Sequence, residues 1–398
     1  MARSEQSTLL VKAGDEHGVS SPLPQGTFWT STFALVGTMM GAGALALPST
    51  MAMTGVVGCS LLFLVMAGFA FVSCYACIVT ADATGEYSFE GMSSVLFGRG
   101  RQWFVRLLTL VLLFGIMAVF MVVAMDLLHP FVAAYVSRYV IGAVFTLVAI
   151  PLCLAESLYA LRHSNSIVVG CMGYIFLVLL VRAVQTGGLP DAAPAITVDG
   201  VLYTIPLQAL AFGCQINSVR VYGELQHKAQ MHAINFTTMF FGCVLYVCFS
   251  FLGYVCFHGA IVPDILTGFA SDDPLVNSVR IVLGTCMVLK IPLIFQPFLH
   301  VLEAVAVGEG DVSRHTRTFW TIASLVSAYA LAITCKDLSM IMGFVGAVGD
   351  ILLNFAVPGL FLWQVGVNQV NAKLQYGGAF LVASGVLMTV LSLIGLLK

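Results

Sequence analysis

Two clusters in this chain have the residue types and spacing to hold a small zwitterion. The first is Gly41-Ala42-Gly43-Ala44-Leu45-Ala46-Leu47-Pro48, in an apolar run that also holds Gly37 and Thr38. Gly41 and Gly43 weaken a helix and Pro48 removes a backbone donor, so the helix is expected to break there. Close packing of helices through small residues is the competing account. The second is Phe212-Gly213-Cys214-Gln215-Ile216-Asn217-Ser218, a polar run in the middle of an apolar one. A broken helix exposes N–H groups with partial positive charge where its second half starts, and these suit a carboxylate. It also frees carbonyls where its first half ends, and these suit an ammonium. An α-amino acid offers both groups. The residues expected around such a ligand are Thr38, Gly41, Ala42, Gly43, Ala44, Phe120, Phe212, Gly213, Cys214, Gln215 and Asn217. For Phe120 and Phe212, plain helix packing competes with a place in the site.

Lys290 and Asp350 are ionisable residues deep inside apolar runs. Such residues are costly in a membrane and mark ion or substrate pathways. Both are expected to act in ion coupling. A lysine snorkelling to an interface is the bland alternative for Lys290, but its depth argues against that. Asp350 could be a proton site, a substrate-facing carboxylate or a partner for Lys290; structural hydrogen bonding competes with these. The stretch Val348-Gly349-Asp350 lacks the glycine that an intramembrane aspartyl protease needs at position 347, which is alanine. Asp126 is expected to be solvated at a span end, the alternative being attraction of a cationic substrate. His129, His258 and His300 are read as interfacial, and Glu224 and Glu303 as capping inner helix ends.

The elements that position these residues are membrane spans. Apolar residues fill 59% of the 398 positions and charged residues only 9%, against roughly 25% charged in soluble domains. That deficit excludes a water-facing surface. The net charge of -2 gives no basic field for nucleic acid. A span needs about 20 apolar residues. Runs of that kind fall at 28–51, 55–80, 104–128, 134–154, 166–185, 201–221, 232–257, 275–300, 316–334, 337–363 and 376–397. Open to lipid, only helices satisfy their own backbone, so the expected fold is an all-α membrane protein of eleven transmembrane helices. The broken spans, first and sixth, lie five apart, which suggests two inverted five-helix repeats, each opening on a broken helix. With the N-terminus inside, eleven Lys and Arg fall on the inner side and five on the outer. The 258–274 loop agrees, with three aspartates and no Lys or Arg.

Residues 1–26 are polar without an apolar core and read as a cytoplasmic tail, not a signal peptide. The eleven cysteines lie almost entirely inside apolar runs, which argues against a disulfide framework. The pair Cys74 and Cys77 reads as packing rather than redox or metal chemistry. The sequon at Asn235 lies at the inner start of the seventh span and is treated as chance.

In four places, in order, the chain resembles the amino acid/auxin permease family. They are Gly41 to Pro48; Leu210-Ala211-Phe212-Gly213-Cys214-Gln215 with Tyr222-Gly223-Glu224; Asp264-Ile265-Leu266 with Ile291-Pro292-Leu293; and Gly343-Phe344-Val345-Gly346-Ala347 with Pro358. The resemblance runs from about residue 28 to the end. It implies a leucine-transporter-like fold of five plus five inverted helices with one more added, and alternating access around a midplane amino acid site. The expected division is a tail of 1–26 and one transporter domain of 27–398. Within that domain the repeats cover about 27–185 and 200–363, with the extra helix at 376–397.

Lys290 departs from the family pattern. Sodium-coupled members often carry a small hydroxyl residue at this point, and the fold has a sodium site between the first and eighth helices. A lysine ammonium could fill that cation's place permanently, or release and regain a proton. The expected function is therefore secondary active transport of amino acids, sodium-independent and proton-coupled. A membrane amino acid sensor is the alternative, though such proteins often carry longer tails. No enzyme motif and no cofactor is expected beyond the coupling proton. The expected partners are the substrate and the bilayer, with no obligate protein partner. Gln215 and Asn217 suit neutral substrates, whereas Asp126 or Asp350 would suit lysine, arginine or ornithine. The plasma membrane is favoured over a lysosomal or vacuolar one.

Overall fold

A computed structural model describes residues 26–98, 100–133, 135–154, 164–186, 196–257, 264–308, 312–335 and 338–397. The expected tail, apart from Gly26, and His258 lie outside the described residues. Helices stand at every position where an apolar run was expected.

The first helix, α1 (Phe28–Met39), starts on a reciprocal cap between Thr27 and Thr30. It stops at Met40 and Gly41, whose backbones are extended. A single 3-10 turn (Ala42–Ala46) then leads into α2 (Leu47–Thr84). Pro48 does not cause the break. It lies in the first turn of α2, where a missing N–H costs nothing. The expected spans 28–51 and 55–80 meet within α2 at Gly55, which takes a φ of 72°. That left-handed conformation favours glycine and turns the chain without a loop.

A short helix, α3 (Phe89–Phe97), capped by Ser88, occupies a stretch expected to be loop. It is followed by α4 (Trp103–Val132), α5 (Arg138–Leu154) and α6 (Ser164–Thr186). The sixth expected span is the pair α7 (Val198–Ala211) and α8 (Gln215–Glu224), separated by Phe212 to Cys214. Next come α9 (Met231–Phe257), α10 (Pro274–Ala306, capped by Asp273) and α11 (Arg314–Thr334). The tenth expected span begins as α12 (Leu338–Phe344) and widens into π turns over Val345–Asp350 and Leu352–Ala356. It resumes as α13 (Val357–Asn368), and α14 (Ala372–Leu396) closes the chain.

Seven helical stretches among the described residues are long and apolar enough to cross a membrane. The others fall short for visible reasons. The breaks divide α1 from α2 and α7 from α8, α5 has only 17 residues, and α11 is long enough but too polar, opening on Arg314, His315 and Arg317. In the interior α4 lies along α10 and α9 along α2, while α13 and α14 pack on each other. Large apolar side chains such as Phe236, Phe240, Phe319 and Phe380 are exposed on the outside, as lipid contact requires.

Asp126 is not free in solvent as expected; its Oδ1 lies 2.5 Å from Arg138 Nε at the end of the bundle. Cys74 and Cys77 are buried in packing. Asn235 is buried and accepts a 2.9 Å hydrogen bond from Ser218.

Candidate functional site

The two interruptions face each other. The hydroxyl of Tyr246, on α9, lies 2.7 Å from the carbonyl oxygen of Met39 and 2.9 Å from that of Ala211. Each carbonyl belongs to the last turn before a break, where no helical partner follows. One buried hydroxyl thus serves a terminal carbonyl of both half-helices. The Tyr246 ring stacks on Phe63 and meets Phe212 edge-on, which fixes it in place.

Beyond each break a new helical segment starts with N–H groups that have no preceding turn to bond. One is the 3-10 turn at Ala42, whose cap residue Gly41 offers no side chain. The other is α8, whose cap residue Cys214 makes no capping bond from its side chain. Gln215 Oε1 accepts the Cys214 N–H at 2.8 Å, while its Nε2 is buried without a partner. Asn217 Nδ2 donates to Thr38 Oγ1 at 3.4 Å and so links α8 to α1. At the other end of these two helices, Gly26 N donates to Glu224 O and Gln226 N to Gly26 O.

The breaks open onto a cavity of about 620 Å³. Thr38, Gly41, Gly43, Phe120, Gly213, Cys214, Gln215, Asn217, Lys290 and Asp350 all line it. Two expected residues stand elsewhere. Ala44, within the 3-10 turn, is buried in packing. The ring of Phe212 is fully buried against Phe63 and Tyr246, because the backbone at the break turns it away from the cavity. Of Ala42 only the backbone position is described.

Lys290 is 6% exposed, with its Nζ 3.5 Å from the carbonyl oxygen of Met40 and 6.0 Å from the centre of the Phe120 ring. Its ammonium therefore lies against backbone freed at the first break. Asp350 is not its partner, since no ion pair joins them. The Asp350 carboxylate instead lies beside Gly213, where a methyl group would collide with Oδ1. Its Oδ1 accepts from Asn354 Nδ2 at 2.6 Å. The wider π winding sets these two residues on one wall of the cavity.

The cavity extends to the end of the bundle that carries Tyr87, Glu90, Arg106, Arg220 and His300. On the far side, the 3-10 turn Ile265–Gly268 packs against the turn that starts at Ala42. Arg280 holds this loop by donating to the carbonyls of Leu266, Phe269 and Ala270. Asp264 caps it at Leu266 N, and burial pushes the Asp264 carboxyl up to about 7.

Tyr246 and Asn354 were not picked out in the sequence. A hydroxyl in the apolar run 231–257, and a polar residue four after Asp350, were the available signals.

The chain shares its fold with MhsT, in a crystal structure of its complex with L-phenylalanine. The TM-score is 0.61 at 12% identity, over 94% of this chain and 99% of that one. The fold therefore defines a multi-pass helical membrane protein of the leucine-transporter-like class. The profile described as "Transmembrane amino acid transporter protein" matches residues 24–397, and the chain belongs to that family, the amino acid/auxin permeases. It is a family of transporters and not of enzymes. Similar proteins include the "Sodium-coupled neutral amino acid symporter 2" of Danio rerio, 23% identical over 91% of this chain and 81% of that protein. The "Sodium-coupled neutral amino acid transporter 7" of Xenopus laevis is 23% identical over 90% of this chain and 85% of its own length.

Proposed function

We propose that this protein is a secondary active transporter that carries amino acids by alternating access, with the substrate seated between the two breaks. The cavity of about 620 Å³, flanked by both half-helix starts, is the observation that carries the reading. Its size is within the roughly 300–1,000 Å³ usual for small-molecule sites. The N–H groups around Gly41 to Gly43 and at the start of α8 suit a carboxylate, and freed carbonyls suit an ammonium. Thr38, Phe120, Gly213, Cys214, Gln215 and Asn217 line the cavity beside the breaks. MhsT holding phenylalanine, and relatives named as neutral amino acid transporters, support an amino acid substrate.

The chain is proposed to cross the membrane eleven times with its N-terminus inside, as repeats of about 27–185 and 200–363 and a further helix at 376–397. Lysine and arginine bias then makes the open end of the cavity cytoplasmic.

Lys290 is proposed to replace the metal cation between the first and eighth spans, which makes transport sodium-independent, with a proton as the coupling ion. The curated relatives carry sodium coupling in their names. The Lys290 ammonium against the Met40 carbonyl supports a different outcome here. Uptake of the twenty common amino acids and ornithine into liposomes holding the purified protein tests the reading. Accumulation of at least one class supports it; specific binding with no accumulation under any gradient contradicts it.

A further inference from the structure

Among the buried polar atoms of the cavity wall, two acceptors stand out. Asp350 and Asn354 are 2% and 3% exposed, and both line the cavity. Asp350 Oδ2 and Asn354 Oδ1 are buried and have no hydrogen-bond partner. They sit one turn apart on the π-wound segment, beside the break at Gly213. Buried acceptors, one of them on a carboxylate, are expensive to leave unfilled. What they lack is a donor, and a cationic donor with several N–H groups fits best.

The rest of the wall decides which cation. Lys290 stands in the same cavity without a carboxylate partner, its ammonium only 3.5 Å from a neutral carbonyl. Beside the two breaks the wall thus carries one lysine and one carboxylate that do not pair with each other, while Glu90, Arg106 and Arg220 lie towards the end of the bundle. A zwitterion supplies the missing counter-charge to both at once and leaves the net charge of the cavity unchanged. Its carboxylate goes to the N–H groups at the first break, within the field of Lys290. Its ammonium goes to the second break, where the carboxylate of Asp350 adds to the carbonyls that α7 leaves free. A cation that filled Asp350 alone would leave Lys290 unpaired.

We infer that Asp350, oriented by Asn354, binds the α-ammonium of the substrate and makes the site selective for free α-amino acids over the corresponding acids. This rests on the amino acid transport proposed above.

The test is competition for uptake in proteoliposomes by three matched pairs: L-alanine with propionate, L-leucine with 4-methylpentanoate, and L-lysine with 6-aminohexanoate. In the wild-type protein each deamino compound is expected to compete at least ~100-fold more weakly than an amino acid that is carried, the order of a lost charge-assisted contact. Asp350→Asn is expected to shrink that ratio at least ~10-fold, while Asp350→Glu keeps most of it. Asn354→Leu, which removes the neighbouring acceptor and the donor that orients Asp350 but keeps the carboxylate, should shrink it less. A ratio unchanged in Asp350→Asn overturns the inference. So does a variant that loses only its response to a proton gradient, since Asp350 would then be a proton site. 6-Aminohexanoate competing as well as lysine also overturns it, because the carboxylate would then read the side chain. If Asp350→Asn fails to fold, Asn354→Leu decides: an unchanged ratio there overturns the inference. If the wild type accumulates no amino acid, the transport reading fails before this one is reached.

Discussion

The ammonium of Lys290 lies 3.5 Å from the carbonyl oxygen of Met40, the extended residue on which the first helix ends. The lysine nitrogen thus sits against backbone that a helix would otherwise have used. Lys290→Ala removes it and leaves that carbonyl facing an apolar gap. A charge-assisted hydrogen bond is worth ~1.5–3 kcal/mol, so uptake efficiency is expected to fall at least ~10-fold. Initial uptake rates against substrate concentration check this.

Gly41 has open space where a side chain would point, with no atom within 4 Å, and it lines the cavity. Gly41→Ala therefore collides with nothing in the protein and intrudes only on the volume proposed for the substrate. The expectation is normal expression and thermal stability with uptake lowered at least ~10-fold, as for loss of close backbone approach to a ligand. A variant that transports normally would place the substrate elsewhere.

Tyr246→Phe keeps the aromatic packing with Phe63 and Phe212 and removes the hydroxyl that serves both Met39 and Ala211. Leaving a buried acceptor unsatisfied costs ~1–3 kcal/mol. A lower midpoint of thermal unfolding is expected, together with weaker substrate affinity, because the two breaks lose their common brace. Thermal unfolding with and without substrate separates the two effects.

Asp264 lies outside the spans, and its carboxyl is raised to about 7, mainly by burial, against an unfolded value near 3.8. The raised value means that folding favours the protonated form. Its contribution to stability is full below the unfolded value and is lost as pH rises through about 7. The wild-type protein is expected to lose thermal stability as pH rises from about 4 to about 7, at ~1.4 kcal/mol per unit of pH or less, and to level off above that. In Asp264→Asn, which keeps an acceptor for Leu266 N, that slope should flatten.

Both breaks were readable from sequence, because paired glycines and a polar run inside apolar stretches have few other uses. Lys290 and Asp350 were readable for the same reason: a charge in a membrane helix needs a cavity or a partner. Side-chain direction at a break was not readable. Phe212 and Gly213 are neighbours, yet the first is buried against Phe63 and the second lines the cavity, since irregular backbone has no helical period to extrapolate. The π turns from Val345 were hidden because their sequence also fits an α-helix. Pro48 was counted among the causes of the break, although proline marks a helix start as readily as a stop. The joint between the first two spans lay inside one helix, at Gly55, where only the backbone angle reveals the turn.

The central claim is that Lys290 takes the place of a metal cation, and ion dependence of uptake tests it most directly. Purified protein in liposomes would be loaded so that either a sodium gradient or a proton gradient is imposed, and accumulation of the preferred amino acid followed. The account predicts accumulation with sodium absent, driven by the proton gradient, and its loss in Lys290→Ala. Strict dependence on sodium in the wild type, with Lys290→Ala transporting as before, would contradict it.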